Sequence, residues 1–388
     1  MTLTSIAARN IGRNKLRTTL TVTVVAIATL FFILLRTVVW SWTSASEFSK
    51  KDRIATRHKV SFVLQLPKRY VDEIAAIPGV TAVAPANWFG AKDPKNEADF
   101  FGSLATDPKG LLAVYTELET SEQEKQAWFE DRQGALIGDA LAKKKGWKVG
   151  DKITLTGSIY PGDWTFNIRG IYTAKTTNVD RSTLYFHYDY LNESLPPRQK
   201  DQVGWIMANI ADSSQSGRIS KEIDAKFDTR ELQTITMSEA ALNQSFLGMF
   251  SAVLKGIDIV SVVITLIMAL IVGNTIAMGV RERTNEYGVL RAIGFLPHHI
   301  ARFILAEGVV IGVLGGLIGV VLGYPVVNTT MGRVIEENMG NMFPQFKVQP
   351  GIAAFAFALA ALLGLVAAVL PARKASQLQV VEALRRVG

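Results

Sequence analysis

The chain has 388 residues, no cysteine and a formal net charge of +8. The absence of cysteine excludes disulfide frameworks, cysteine-ligated zinc sites and thiol nucleophiles from these residues. Residues 43–249 carry 26 basic and 27 acidic side chains, so the positive excess lies in the more apolar remainder of the chain. Basic residues beside apolar segments indicate membrane topology, and no nucleic-acid partner is expected.

Four apolar segments, near residues 18–40, 252–280, 303–327 and 351–371, are each long enough to cross a bilayer. About 20 apolar residues in a helix span a hydrocarbon core of about 30 Å. The polar stretch after the first segment has ordinary globular composition. The predicted fold class is therefore a membrane α-helical protein with four transmembrane helices and an α+β extracytoplasmic domain inserted between helices 1 and 2.

The boundaries follow from where apolar and polar composition change. In chain order we predict a cytoplasmic amphipathic helix over 1–17, transmembrane helix 1 over 18–42, the extracytoplasmic domain over 43–249, transmembrane helix 2 with a stalk over 250–280, a cytoplasmic loop over 281–301, transmembrane helix 3 over 302–327, a short external loop over 328–350, transmembrane helix 4 over 351–371 and a cytoplasmic tail over 372–388.

The orientation is predicted from basic residues in the short flanks, which accumulate on the cytoplasmic side of membranes. Both termini and the loop over 281–301 are then cytoplasmic, and the large domain is external. The basic residues that carry this prediction are Arg9, Arg13, Lys15, Arg17, Arg281, Arg283, Arg291, Arg302, Arg373, Lys374, Arg385 and Arg386.

Two features of the predicted spans leave alternatives open. Lys255 and Asp258 are three residues apart near the outer end of span 2, so they lie either on a solvated stalk or in a buried polar contact between subunits. Small residues at spacings of three or four let helices approach closely in lipid, either within one chain or at a dimer interface. Span 3 has this pattern in Gly308, Gly312, Gly315, Gly316, Gly319 and Gly323.

The external domain has mixed patterns typical of an α+β fold. We predict a strand over Val60–Leu66, a helix near Lys68–Ala76 and a strand from Val80, and we predict that Ile153–Thr156 and Trp164–Tyr172 form a hairpin. The four histidines, His58, His187, His298 and His299, have no metal-ligand spacing, and no catalytic motif is present. No catalytic residue, metal site or cofactor site is therefore expected in this chain.

The most specific segment is 281–295, between spans 2 and 3, in which charged residues alternate with apolar ones. It is predicted to be a short charged helix that is broken at Gly288 and Gly294 and is continuous with both neighbouring membrane helices. The segment resembles the E-R-x-x-E-x-G-x-L-[RK]-A-x-G pattern of the FtsX-like permease family, the MacB-type or mechanotransmission class of ABC transporters. Residues 8–17, 138–151 and 371–384 are also similar to signatures of that family, and Tyr287 stands where the family usually has isoleucine.

The resemblance implies a permease subunit without catalytic activity, in the inner membrane of a bacterium. It implies that a separate cytoplasmic ABC ATPase dimer, which binds ATP and Mg, docks on the loop and moves the external domain. The residues implied in coupling to that ATPase are Glu282, Arg283, Glu286, Gly288, Leu290, Arg291, Ala292 and Gly294. Other implied partners are membrane lipid, a second permease subunit, either identical or a paralogue, and a periplasmic adaptor or outer-membrane protein.

Three functions are compatible with these observations. The first is export or extraction of a lipoprotein, peptide, lipid or hydrophobic compound, and the size of the external domain favours it. The second is a signalling subunit that controls an external cell-wall enzyme. The third is a membrane-anchored binding protein without an ATPase, against which the coupling-like loop argues. The sequence contains no Walker A spacing, so ATP hydrolysis must come from outside these residues.

Overall fold

A computed structural model of the chain describes residues 15–44, 49–95, 101–175, 179–248, 251–339, 343 and 345–377. Of the amphipathic helix predicted over 1–17, only residues 15–17 are described. Of the cytoplasmic tail predicted over 372–388, residues 378–388 lie outside the described residues. The described helices are α1 (Lys15–Ser44), α2 (Arg69–Ala75), α3 (Pro108–Val114), α4 (Glu122–Glu130), α5 (Asp139–Lys145), α6 (Tyr188–Ser194), α7 (Ser216–Phe227), α8 (Glu239–Gly248), α9 (Ser251–Glu282), α10 (Thr284–Ala292), α11 (Pro297–Pro325), α12 (Gly332–Met339) and α13 (Pro350–Ser376).

The described strands are β1 (Arg53–His58), β2 (Leu66–Pro67), β3 (Val80–Trp88), β4 (Ala91–Lys92), β5 (Ser103–Thr106), β6 (Leu118–Glu119), β7 (Gly134–Gly138), β8 (Lys152–Gly157), β9 (Gly162–Ala174), β10 (Leu184–His187), β11 (Gln202–Val203), β12 (Trp205–Ile210) and β13 (Thr234–Ser238). All thirteen strands lie between α1 and α9. Among the described residues, the four helices α1, α9, α11 and α13 are long and apolar enough to cross a membrane. The predicted fold class is confirmed.

The described residues pack into two compact units. The first, which we call the membrane unit, takes its described parts from Met1–Trp40, Ser251–Met331 and Lys347–Gly388. The second, which we call the external domain, takes its described parts from Ser41–Phe250 and Gly332–Phe346. The predicted loop over 328–350 thus contains the helix α12, and its middle packs with the external domain: the Trp42 and Phe343 rings meet edge to face, with centroids 5.5 Å apart.

The glycines of α11 form two stripes, each of which packs against a different helix. On α13, a Cβ atom at Gly308 would overlap backbone atoms of Gly364, and a Cβ atom at Gly312 would overlap those of Ala360. A Cβ atom at Gly315 or at the other glycines of its stripe would meet α1 instead. The stripe facing α13 consists of Gly308, Gly312 and Gly316, and the stripe facing α1 consists of Gly315, Gly319 and Gly323. The glycine spacing therefore serves close packing within this chain.

Near the outer end of α9, Lys255 and Asp258 are both exposed, and Asp258 has a partner that neither predicted arrangement included. The carboxylate of Asp258 does not use its neighbour Lys255. It instead accepts a hydrogen bond of 2.6 Å from the guanidinium of Arg36 on α1. The Arg36–Asp258 pair joins the first and second apolar helices. Residue spacing within α9 alone does not reveal this contact, because Arg36 belongs to another helix.

The external domain is built on a mixed sheet whose strands follow the order β13-β1-β12-β3-β5-β10-β7-β9-β8-β4, with β6 paired to β9. The predicted hairpin is confirmed, since Ile153 pairs with Phe166 and Leu155 pairs with Trp164. The strand predicted over Val60–Leu66 is wrong. The strand in this region is β1, Arg53–His58, which sequence reading misses because it buries arginine, threonine and histidine side chains.

Two apolar clusters stabilise the sheet. One packs α2 and α7 on the part of the sheet around β1 and β12, and it includes Tyr70 and Phe227, whose rings stack with centroids 4.0 Å apart. The other surrounds Phe89 and Phe186 and packs α5 and α6 on the part around β7, β8 and β9. Trp128 is fully buried in a further cluster, as expected for a core tryptophan.

Candidate functional site

The short helix α10 lies between the second and third apolar helices, where the sequence predicted it. It runs through Gly288 without the predicted break, and turns separate it from both neighbouring helices, with which it was predicted to be continuous. The helix α9 ends at Glu282, and Arg283 leaves helical geometry with φ −105° and ψ 12°. At the other end Gly294 adopts φ 104°, a left-handed conformation that favours glycine. The amide of Gly294 donates to the Arg291 carbonyl oxygen and that of Phe295 donates to the Leu290 carbonyl oxygen, which is the Schellman pattern.

One face of α10 packs into the core of the membrane unit. Tyr287 is 4% exposed and belongs to the same apolar cluster as Ile300 and Ile304 of α11. Leu290 packs against that cluster, and Gly288 is buried beside Tyr287. Burial is the main cause that raises the pKa of the Tyr287 hydroxyl above its ordinary value, and the Glu307 carboxylate acts in the same direction. This tyrosine therefore stays neutral at physiological pH.

Polar contacts at and beside the two ends of α10 involve three apolar helices besides α9. Arg17 of α1 donates two hydrogen bonds, of 2.8 and 2.9 Å, to the Glu282 carboxylate at the end of α9. Arg283 lies 3.2 Å from Glu307 of α11, with side chains only 8% and 17% exposed. At the far end, Arg291 donates a hydrogen bond of 3.0 Å to the backbone carbonyl of Ser376, the last residue of α13.

The opposite face of α10 is exposed and combines acidic and apolar side chains. The Glu282 side chain is 57% exposed, and Glu286 is also exposed. Val289 and Ile293, one helical turn apart, are 49% and 69% exposed, and Leu296 just beyond the helix is 53% exposed. We call these five residues the outer face of α10. An exposed apolar patch bordered by charge is typical of a surface that binds another protein.

The eight residues that the sequence assigns to coupling thus separate into two groups. Four of them, Glu282, Glu286, Ala292 and Gly294, are exposed, whereas Arg283 and Gly288 are buried and Leu290 and Arg291 are half-buried. Sequence reading did not single out Glu307, Val289 or Ile293. The signal for Glu307 was a lone acidic residue inside an apolar helix, which in a membrane indicates a specific partner.

Two other kinds of candidate site in the described residues are metal-ligating side chains and a cleft in the external domain. The described residues contain no group of three or more histidine, cysteine, aspartate or glutamate side chains arranged to hold a metal ion. The cleft of about 430 Å³ near His187 in the external domain contains Lys68 and Asp189, which pair at 3.2 Å. The His187 ring nitrogen Nε2 lies 2.7 Å from the Trp128 carbonyl oxygen, a contact that fixes its position.

Family models match most of the chain. The MacB-like periplasmic core domain matches residues 18–226, and the FtsX-like permease C-terminal region matches residues 259–380. An uncharacterised ABC transporter permease of Methanocaldococcus jannaschii is 25% identical over 337 residues, which cover 82% of this chain and 79% of that protein.

Two other relatives are longer proteins with more specific names. The macrolide export ATP-binding/permease protein MacB of Psychrobacter arcticus is 29% identical over 211 residues, 54% of this chain and 30% of that protein. The lipoprotein-releasing system transmembrane protein LolE of Haemophilus influenzae is 26% identical over 212 residues, 52% of this chain and 49% of that protein. The chain therefore spans less than half the length of both relatives.

Proposed function

The chain belongs to the ABC transporter permeases that join a MacB-like periplasmic core domain to an FtsX-like permease region, and we propose that it couples ATP hydrolysis by a partner ATPase to movement of its external domain. In this proposal the chain itself is not catalytic. A cytoplasmic ABC ATPase dimer binds ATP and Mg and docks on the outer face of α10. Both termini of the chain are cytoplasmic, and the external domain lies in the periplasm.

The observation that carries the proposal is the two-sided character of α10. Its inner side is fixed by Tyr287 in the core and by polar contacts of Arg283 with α11 and of Arg291 with α13. Its outer face presents Glu282, Glu286, Val289 and Ile293 to solvent. In this proposal a force applied to the outer face by a docked partner reaches α11 and α13 through these contacts, and α1 through the Arg17–Glu282 pair at the end of α9.

The outer face also indicates the chemistry of the surface that it binds. Val289 and Ile293 lie one turn apart, so together they fill a shallow apolar groove as an amphipathic helix does. The exposed Glu286 carboxylate beside them favours arginine or lysine at the edge of that groove, whereas both oxygens of Glu282 already accept hydrogen bonds from Arg17. We propose that Arg283, Leu290 and Arg291 orient α10 from the inner side and do not contact the ATPase.

The proposed cargo is a lipoprotein, peptide, lipid or hydrophobic compound that is exported or extracted on the outer side of the membrane. The names of two relatives support this choice, since one is a macrolide exporter and the other a lipoprotein-releasing protein. A second permease subunit, identical or a paralogue, and a periplasmic adaptor or outer-membrane protein complete the proposed assembly. Control of a cell-wall enzyme is the alternative output of the same coupling.

The test is co-purification of the tagged chain with a candidate ABC ATPase from the same organism, followed by measurement of ATP hydrolysis by the complex. We expect the wild-type chain to retain an active ATPase and Glu286→Lys to release it, because the reversed charge repels the basic edge of the groove. Glu231→Lys, a charge reversal at an exposed residue of the external domain, is the matched control and should retain the ATPase. Failure of both wild type and control to retain any ATPase would favour the anchored binding protein instead.

A further inference from the structure

Arg53, the first residue of β1, is a buried cation of the external domain that the proposed coupling site does not include. Its side chain is only 2% exposed. The nitrogen Nη2 lies 2.8 and 2.9 Å from the two carboxylate oxygens of Glu117, and Nη1 lies 2.9 Å from a carboxylate oxygen of Glu239. One guanidinium therefore holds two carboxylates that are themselves only 11% and 13% exposed.

Further contacts hold this cluster in place. Nη2 also donates to the Val114 carbonyl oxygen at 3.0 Å, and the guanidinium lies 4.1 Å from the centroid of the Tyr115 ring. Lys50 contributes twice: its ammonium nitrogen lies 3.2 Å from Glu117, and its backbone amide donates to Glu239 at 3.0 Å. We call Lys50, Arg53, Glu117 and Glu239 the Arg53 joint.

The members of the joint come from three distant parts of the chain. Lys50 and Arg53 lie on the segment that follows α1 and leads into the domain. Glu239 is the first residue of α8, the helix that directly precedes α9 and leads out of the domain. Glu117 lies in the connection between α3 and β6, in the interior of the domain sequence. The joint thus links both connections to the membrane helices with a third, internal segment.

We propose that the Arg53 joint makes these three segments move as one body, so that displacement of the first two apolar helices is carried into the external domain and is not absorbed at its connections. A planar guanidinium fork fixes the direction as well as the distance of its carboxylate partners. Separating the members would leave a buried charge without compensation, so the joint resists opening. The motion itself rests on the proposed function, whereas the rigidity of the joint does not.

The test is a distance measurement between two spin labels in the complete permease and its ATPase. The 388 residues contain no cysteine, so two introduced cysteines would be the only labelling sites in them. The exposed residues Gln244 on α8 and Glu122 on α4 report on the outgoing connection and on the helix that follows Glu117 and β6. Labelled chains are diluted with unlabelled chain, so that each complex contains one labelled pair.

In the otherwise wild-type chain we expect the same distance distribution without nucleotide and with ATP trapped on the ATPase. In Arg53→Met we expect a broader distribution without nucleotide and a shift of its mean when ATP is trapped. A purely structural contribution of Arg53 would change stability without making the distance depend on nucleotide. The inference is overturned if Arg53→Met keeps the wild-type distribution in both states, or if the wild-type distance itself changes with ATP.

Two further variants keep the test decisive. Glu239→Gln removes a single charge from the joint, and the mean label distance should shift with ATP by less than in Arg53→Met. If Arg53→Met does not fold, Glu239→Gln takes its place in the test. Arg132→Met opens an exposed ion pair with Glu193, whose side chains are 59% and 54% exposed, and should behave as wild type. If no ATPase assembles with the chain, the proposed function fails, whereas the joint is still judged by the nucleotide-free distributions.

Discussion

The guanidinium of Arg283 lies 3.2 Å from the carboxylate of Glu307, and the two side chains are 8% and 17% exposed. The pair connects the residue that precedes α10 with the third turn of α11. Because an enclosed ion pair holds its partners at fixed separation, it keeps α10 from turning independently of α11. The arginine of the family pattern thus acts inward in this chain, on a partner that lies outside that pattern.

Removing one member of the Arg283–Glu307 pair should lower the free energy of unfolding much more than removing both. Glu307→Leu leaves a buried positive charge, and we expect it to reduce the free energy of unfolding by about 3–5 kcal/mol. The double variant Arg283→Met/Glu307→Leu should recover most of that loss. Denaturation in detergent measures both, with Glu222→Gln, which opens an exposed pair on α7, as a control that should change stability by less than about 1 kcal/mol. Additive effects of the two single substitutions would contradict the pairing.

Gly294→Ala should destabilise the end of α10. A left-handed conformation costs an L-residue about 1–2 kcal/mol, and Gly294 has φ 104°. We expect lower thermal stability together with weaker retention of the ATPase, since this turn sets the direction in which α10 enters α11. The comparison is Gly217→Ala, at a helical position with no atom within 4 Å of the added Cβ, which should be neutral or slightly stabilising. Equal behaviour of the two variants would argue against the role of the turn.

Substitutions in the two glycine stripes of α11 should disturb different helix pairs. Gly308→Ala overlaps the Gly364 backbone on α13, and Gly315→Ala overlaps Val25 on α1. Each should cost about 1–3 kcal/mol through overpacking. Gly256→Ala on α9, with open space around its Cβ, serves as the control. Cross-linking of cysteines placed across each helix pair would show which contact opens; loss of the same contact in both variants would be inconsistent with two separate stripes.

Stability at acid pH should depend on Glu117. Burial favours the protonated acid, but the charge and hydrogen bonds of Arg53 outweigh it and hold the pKa of Glu117 below its ordinary value of 4.5. A carboxyl whose pKa is depressed by folding contributes stability above its unfolded pKa, and this contribution is lost as pH falls through the folded value. Unfolding temperatures measured from pH 7 down to pH 3 should therefore fall less steeply in Glu117→Gln than in wild type. Parallel curves would show that Glu117 is not coupled to Arg53.

The sequence predicts those features of the fold that depend on a residue pattern within one helix or strand. Apolar length predicts four spanning helices, and alternation predicts the pairing of Ile153–Thr156 with Trp164–Tyr172, because each pattern is local to its own element. The partner of a charge is not local. Asp258 pairs with Arg36 and Arg283 pairs with Glu307, and neither distance along the chain nor helical spacing within one element indicates these choices.

The site shows the same division between local and non-local information. The pattern over 282–294 locates α10, yet it does not distinguish exposed Glu286 from buried Arg283, because both are charged residues of one short segment. That distinction depends on which face meets the core through Tyr287. The strand β1 was missed for a related reason: Arg53 makes it resemble a surface segment, whereas its charge is compensated by carboxylates that arrive from residues 117 and 239.

The strands at the two ends of the external domain, β1 and β13, lie side by side in antiparallel pairing, with Ile54 opposite Ser238. The sheet of the domain therefore begins and ends on neighbouring strands. A chimaera with a related permease would therefore exchange residues 50–239, so that the whole Arg53 joint is kept with the sheet. It would exchange the described residues of 332–346 as well, because these pack with the same domain.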